Sequence, residues 1–343
     1  MDNGFSVDFI NFYLIPGVVL GSIYALGAIG VSLVFGILRF ANFAHGELML
    51  IGAYTTYSLM QFSGLHPLVI LPIAMLFTSL VALGIDHTFY KPFRASKSTI
   101  LIVASFGIAL MARSAVQIIW GVDTFSYSPG RIQMPMILFD TLRLSPKHIW
   151  IVCFSIVLMI VVHVVLTHTK TGKAMRAMSD SAELAQLTGI RTESVVKATW
   201  VLGASLATAA GVFLGWDSHL HSMMGFYMLL PMFAAAILGG IGQPYGAMVG
   251  GLVVGLAEEL SAYPWLGDTP LLSPAYKAGV AFALMIIMLI WRPSGLFRGR
   301  VFWDGLSTSL RLHVVLCVTD DDGWHLRHYV PGAQHPVGFH RSF

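Results

Sequence analysis

Charge is scarce in this sequence. Asp, Glu, Lys and Arg make up 11% of its 343 residues, against 56% hydrophobic residues and a mean hydropathy of +0.75. A chain with so few polar groups cannot cover a water-facing surface, which excludes an ordinary soluble domain and makes this an integral membrane protein. Cysteine is nearly absent: Cys153 sits in an apolar run and Cys317 in a polar C-terminal stretch, so a disulfide framework and a cysteine-based metal site are both excluded. No Lys or Arg precedes Arg39, whereas a cleaved secretory leader carries a positive segment before its apolar core. The first apolar run is therefore expected to be retained as a span. No G-x-S-x-G elbow occurs, and Gly172-Lys173 is followed by Ala174 without the upstream glycine of a phosphate-cradling loop. The net charge is only +3, and its basic residues sit in short loops beside apolar runs, which excludes nucleic acid as a partner. No cofactor and no metal are expected.

Apolar length is abundant instead. Windows of about 20 apolar residues, enough to cross about 30 Å of hydrocarbon as helix, fall near 10–38, 40–62, 67–90, 98–120, 148–168, 196–217, 225–242, 246–263 and 275–291. They predict an all-α polytopic membrane protein of about 8–9 transmembrane or re-entrant helices. Gly46, Gly239, Gly240, Gly242 and Pro244 mark the second, seventh and eighth windows as candidates for broken helices, tolerated at membrane depth only when buried in protein. If the spans alternate, Arg39, Lys91, Arg94, Lys97, Lys170, Lys173, Arg176, Arg191, Lys197, Arg292, Arg298 and Arg300 share one side. Arg131, Arg143, Lys147 and Lys277 share the other. The excess makes the first side cytoplasmic and places the N-terminus, with Asp2 and Asp8, outside. Gly17 with Gly21, Gly211 with Gly215, Gly242 with Gly246 and Gly250, and Gly251 with Gly255 recur at four-residue spacing. Such spacing lets helices approach closely and reads as packing.

Within the second window lies the string Asn42-Phe43-Ala44-His45-Gly46-Glu47. An ionisable group at bilayer depth costs roughly 3 kcal/mol, so such groups mark functional sites. His45 and Glu47 are two positions apart, about 200° around a helix, and do not share a face as the i, i+4 histidines of a zinc helix do. Two readings stand. The string either holds a broken helix in place, with Gly46 at the break, or lines a translocation path, since a helix break exposes backbone groups that can hold the ends of an amino acid. Asn42, His45, Gly46 and Glu47 are the path candidates. Arg113, near the outer end of the fourth window, reads as a snorkelling side chain, with a hold on a substrate carboxylate as the alternative. Asp86 and His87 read as snorkelling at an inner end, and His219 and His221 as solvated on an outer loop.

Between Lys170 and Lys197 the chain is polar enough to leave the membrane, yet Ala174, Ala177, Ala182, Leu184, Ala185, Leu187 and Ile190 give it an apolar stripe. One or two short surface helices are expected, with a capping box from Ser179 or Asp180 to Glu183 and a stop at Gly189. An amphipathic knob of this kind fits a groove on another protein. Its candidate docking residues are Gly172, Lys173, Arg176, Glu183, Ala185 and Gly189.

Four separated stretches, in order, resemble one family. Residues 40–54 (FANFAHGELMLIGAY) look like the signature of membrane permeases of branched-chain amino acid ABC importers. Residues 183–189 resemble the E-A-A-x-x-x-G coupling element of ABC permeases, with Leu184 where that pattern prefers Ala. Residues 233–251 (FAAAILGGIGQPYGAMVGG) resemble the family's Gly-rich turn, and Arg292-Pro293-Ser294-Gly295-Leu296-Phe297 its C-terminal ending. The resemblance implies a transmembrane permease domain over residues 1–297, importing hydrophobic amino acids across a bacterial inner membrane by alternating access. It further implies cytosolic ABC ATPase subunits docked at the 170–197 loop, a sister permease subunit, a periplasmic substrate-binding protein and membrane lipid around the helices. ATP hydrolysis would lie in a separate subunit, so the chain itself is expected not to be an enzyme.

Urea and short-chain amide importers carry a closely related A-H-G-E string, and Phe43 before Ala44-His45 favours the amino acid branch. A membrane enzyme would need a reaction centre, and a passive channel would have no use for a coupling segment. Residues 298–343, with His313, His325, His328, His335, His340 and the acidic run Asp320-Asp321-Asp322, depart from the family pattern. They are expected to form a disordered polar tail, with a metal-binding extension as the alternative.

Overall fold

Backbone groups in an apolar medium must satisfy one another within a segment, which leaves long apolar runs little choice but helix. A computed structural model of the chain describes residues 7, 9–94, 96–127, 136–138, 142–264, 273, 276–292 and 294–297. All of them belong to the first of two units, residues 1–301. Asp2, Asp8, Arg131, Pro293 and the histidine-bearing stretch 298–343 lie outside the described residues.

The helices run in the order α1 (Ile10–Leu38), α2 (His45–Ser63), α3 (Pro67–Phe93), α4 (Ser98–Trp120), α5 (Pro146–His168), α6 (Lys170–Asp180), α7 (Ala182–Leu187), α8 (Thr192–Asp217), α9 (Met224–Gly239), α10 (Pro244–Ser261) and α11 (Lys277–Trp291). Between α4 and α5 a short antiparallel hairpin pairs β1 (Met136–Leu138) with β2 (Leu142–Leu144), Ile137 opposite Arg143. Five helices, α1, α3, α4, α5 and α8, are long and apolar enough to cross a membrane, and α9 and α11 are shorter apolar helices. Every predicted window coincides with a helix, but α2 carries His45, Glu47 and several hydroxyls, which keeps it out of the five.

Helices α1 and α8 form the inner pair, 83% and 78% buried over their most apolar stretch, while α3 and α4 are 33% buried and α5 only 22%. The outward faces of these three carry exposed apolar side chains such as Leu76, Val103 and Ile160, as expected of surface that meets lipid or another subunit. The recurrent glycines serve the tightest contact. A methyl group on Gly251 would run into the backbone of Ala25, and one on Gly255 into Gly21, so α1 and α10 lie backbone against backbone. The α9–α10 turn uses Gly240 (φ 112°) and Gly242 (φ 79°), conformations that side-chain-bearing residues rarely adopt.

One break in the helical order matters for function. After α1 the chain turns at Arg39, itself left-handed at φ 59°, and residues 39–44 climb beside α4 without helical bonding. The Ser98 hydroxyl faces the Arg39 carbonyl at 3.4 Å, and the Phe43 amide donates to Ser105 Oγ at 3.1 Å. Those two serines are seven positions apart, about 10 Å at 1.5 Å per residue, so α2 begins partway up the side of α4 and not at its end. The break therefore precedes His45. Gly46 lies inside the first turn of α2, which corrects the expectation that it marks the break.

Candidate functional site

Asn42 builds the break. Its side-chain carbonyl accepts from the Ala44 amide at 3.1 Å and from the Tyr90 hydroxyl at 2.9 Å. This local turn offers the chain an alternative to continued helix, and Tyr90 is in turn stacked on Trp200 with ring centroids 5.2 Å apart.

The next residues diverge, as their spacing requires. His45 points at α1 and is fully buried, in a niche that exists because position 30 is glycine: a methyl there would come within 2.7 Å of the ring. Among the described residues neither ring nitrogen has a hydrogen-bond partner of good geometry, and the Gly27 backbone is the polar group that faces the ring. Gly46 packs on Gly225 at the start of α9, and a side chain on either would strike the other's carbonyl. The N-terminal ends of α2 and α9 thus cross at a pair of glycines.

Glu47 points the other way, toward α4. Its Oε1 accepts from Arg113 Nε at 3.1 Å and from Arg113 Nη2, while Oε2 is buried without a partner. The guanidinium lies 4.9 Å over the Phe226 ring, a cation–π contact strengthened by the lack of surrounding water. Gln117, one turn further along α4, donates to Ser222 at 3.2 Å, so the beginning of α9 is fixed to the same part of α4. Glu47 in the first turn of α2 also meets the positive end of that helix. Arg113 does not snorkel, contrary to its sequence reading: a buried carboxylate within reach is a better partner than a distant interface for a charge inside an apolar bundle.

A cavity of about 140 Å³ opens beside this pair, lined by Phe43, Phe106, Ala109, Leu110, Arg113, Phe226 and Leu229. None of Asn42, His45, Gly46 and Glu47 lines it directly. Phe43 does, and Glu47 reaches it only through Arg113. The aromatic and aliphatic wall carried no signal of its own in the sequence, but the pairing did: two opposite charges stranded in different apolar windows are each other's obvious partners.

Asp86 is held as well. It pairs with Arg94, whose other nitrogen donates to Glu193 at 3.0 Å, tying the end of α3 to the start of α8. His219 is exposed as expected, whereas His221 is half-buried, 5.9 Å from the Tyr227 ring, and burial lowers its pKa below the ordinary imidazole range.

The surface loop folds as two helices. Thr169 Oγ1 caps α6 by accepting from Gly172 N at 3.0 Å, and Ser181 Oγ caps α7 by accepting from Leu184 N at 3.3 Å. The cap of α7 is thus Ser181 and not Ser179 or Asp180, because Ser181 is the extended residue between the two helices (φ −153°, ψ 111°). Met175, Met178 and Ala185 are buried and anchor the loop, and Gly172 packs against the carbonyls of Val165 and Leu166. Lys173, Arg176, Glu183 and Gly189 are exposed. Leu184 and Leu187 stand out 64% and 84% exposed, an apolar pair on a polar loop. Gly189 ends α7 at φ 83° with nothing within 4 Å of where a side chain would go, which matches the predicted stop.

A buried ion pair between apolar helices, an outer layer of exposed apolar faces and a protruding polar loop define a polytopic helical membrane protein with a built interior. Residues 13–289 match the family model described as "Branched-chain amino acid transport system / permease component". The chain is 34% identical over 296 residues to the high-affinity branched-chain amino acid transport system permease protein LivH of Salmonella typhimurium, covering 82% of this chain and 92% of that one. The same identity and coverage hold for LivH of Escherichia coli K12. Identity is 31% over 295 residues to BraD of Pseudomonas aeruginosa, covering 82% and 94%. A chain of PsaBC from Streptococcus pneumoniae shares 15% identity and a TM-score of 0.49 over 86% of this chain and 97% of that one, too distant to bear on function. The chain belongs to the branched-chain amino acid transport system permease family. It is a multi-pass membrane transport subunit and not an enzyme.

Proposed function

We propose that this chain is the permease subunit of an ATP-driven ABC importer that carries branched-chain, hydrophobic amino acids across a bacterial inner membrane. Its relatives of nearly equal length are named for that substrate class, and the Glu47–Arg113 pair is the observation within the structure that supports it. The pair sits buried where two helices begin, beside an apolar cavity. Helix starts inside a membrane supply fixed positive ends and unsatisfied amides for a zwitterion, and neighbouring protein keeps them from lipid.

The partners follow from the surfaces. Residues 1–297 form the permease domain. The exposed Leu184–Leu187 edge of α7, held from below by Ala185, enters a groove on a cytosolic ABC ATPase. The outward faces of α3 to α5 meet lipid, the open side of the cavity meets a sister permease, and a periplasmic binding protein delivers solute at the outer ends of α4 and α8. The ATPase changes which side the path faces only to the extent that it binds the two conformations with different affinity. In cells carrying the complete transporter, deleting this subunit should remove energy-dependent leucine uptake and leave urea uptake unchanged. Loss of urea uptake with leucine uptake intact would assign the chain to the amide branch.

The same reading fixes an orientation, with α6 and α7 cytoplasmic and the α4–α5 connection outside. Leu187 and Val122 are 84% and 71% exposed. In a chain with Cys153 and Cys317 replaced by Ser, Val122→Cys should react with a membrane-impermeant thiol reagent in spheroplasts, and Leu187→Cys only after the membrane is opened. The opposite pattern inverts the map.

A further inference from the structure

Three features near Arg113 point to one ligand chemistry. The first is a half-used guanidinium. Arg113 gives Nε and Nη2 to a single oxygen of Glu47 and, among the described residues, makes no hydrogen bond through Nη1. A guanidinium presents its donors along two edges, each matched to a carboxylate, so the edge carrying Nη1 remains available. The second is the wall: apart from Arg113, every residue lining the cavity is apolar, with Phe43, Phe106, Leu110, Phe226 and Leu229 providing most of it. The third is the compensation behind it. Glu47, 2% exposed, neutralises Arg113 from the side away from the cavity lining, and its Oε2 is buried with no partner.

From these we infer that the cavity is a subsite for an aliphatic amino acid, in which Arg113 takes the carboxylate, the Phe–Leu wall takes the side chain, and Glu47 is the positioning residue that holds Arg113 toward the ligand. The inference deepens the permease reading above and rests on it.

The size agrees. An apolar cavity of about 150 Å³ accommodates benzene, so 140 Å³ suits a branched aliphatic side chain. The chemistry also discriminates. Urea and simple amides carry no carboxylate to meet a guanidinium and no hydrocarbon to fill the wall. The crossing of two helix N-termini at Gly46 and Gly225 adds positive potential near the same place.

The test is equilibrium binding of radiolabelled leucine to the purified complex of permease and ATPase subunits, free of the binding protein, with unlabelled valine, leucinamide and urea as competitors. Valine should compete, and leucinamide and urea should not. Changing Arg113→Gln and Glu47→Gln together removes both charges, so neither is left buried alone. In that variant leucine affinity should fall about tenfold or more, the scale set by losing a hydrogen bond to a charged group. Should the double variant not assemble, Arg113→Lys decides: it keeps the charge without the two-edged fork, and leucine affinity should again drop. Phe106→Ala, on the wall, should weaken leucine more than valine. Unchanged leucine affinity in the charge-free variant, or competition by leucinamide equal to that by leucine, overturns the subsite while leaving the permease reading intact. A wild-type transporter that imports urea and neither binds nor imports leucine overturns the permease reading itself.

Discussion

Glu47→Leu should strip the subunit from the membrane, whereas Glu47→Gln should lower its abundance far less and, per subunit present, cut leucine uptake about tenfold, the cost of one charge-assisted contact in the path. The two substitutions separate because they treat Arg113 differently. Leu removes the only hydrogen-bonding partner that the guanidinium has among the described residues and leaves an uncompensated charge among apolar helices, a loss of about 3–5 kcal/mol. That is a large share of the roughly 5–15 kcal/mol by which a folded protein is stable. Gln keeps the shape and an oxygen that accepts from Arg113, and the Phe226 ring still covers the cation. What Gln loses is the charge that orients the guanidinium. Abundance by immunoblot and initial rate of uptake, measured side by side, give both numbers. Full uptake with Gln combined with disappearance of the Leu protein would make Glu47 a strut of the fold with no part in handling solute.

Gly189→Asp should abolish uptake with the subunit fully inserted. Its left-handed backbone resists any side chain at a cost of about 1–3 kcal/mol, and the new carboxylate would sit two positions from Leu187, at the rim of the apolar edge offered to the ATPase. Among the described residues nothing beyond its chain neighbours lies within 4 Å of where a side chain would begin, so folding has no packing to lose there. Gly64 supplies the control. It ends α2 in the same conformation, at φ 65°, also with open space around it. Gly64→Asp imposes equal strain away from the docking loop and should transport normally. Equal failure of both variants would blame the backbone. Normal uptake in both would remove the docking role from α7.

The helices were legible from apolar length because that length is what a bilayer selects, and the polar string at residues 42–47 stood out against it for the same reason. Its internal geometry was less so. Which residue starts α2 depends on Asn42 reaching Ala44 and Tyr90 and on two serines of α4 holding residues 39–43, contacts that join segments far apart in the chain. The cap of α7 was read at Ser179 or Asp180 and lies at Ser181. It was settled by where α6 ends, and α6 ends where Met175 and Met178 have finished packing. The cavity wall was hidden because Phe106, Leu110 and Leu229 sit in windows where an apolar residue is the default. Arg113 could have been paired from sequence, since Glu47 is an opposite charge stranded in another apolar window.

The separation of those two residues has a consequence for how the protein is made. Arg113 leaves the ribosome 66 residues after Glu47, with all of α3 between them. Until then the Glu47 carboxylate of α2 lacks the cation it pairs with, and α2 is not among the helices long and apolar enough by composition to cross a membrane. A nascent chain halted before position 113 should therefore hold α2 less firmly in the bilayer than one halted after α4, and the ion pair that serves the finished subunit acts first as the latch that commits its second helix.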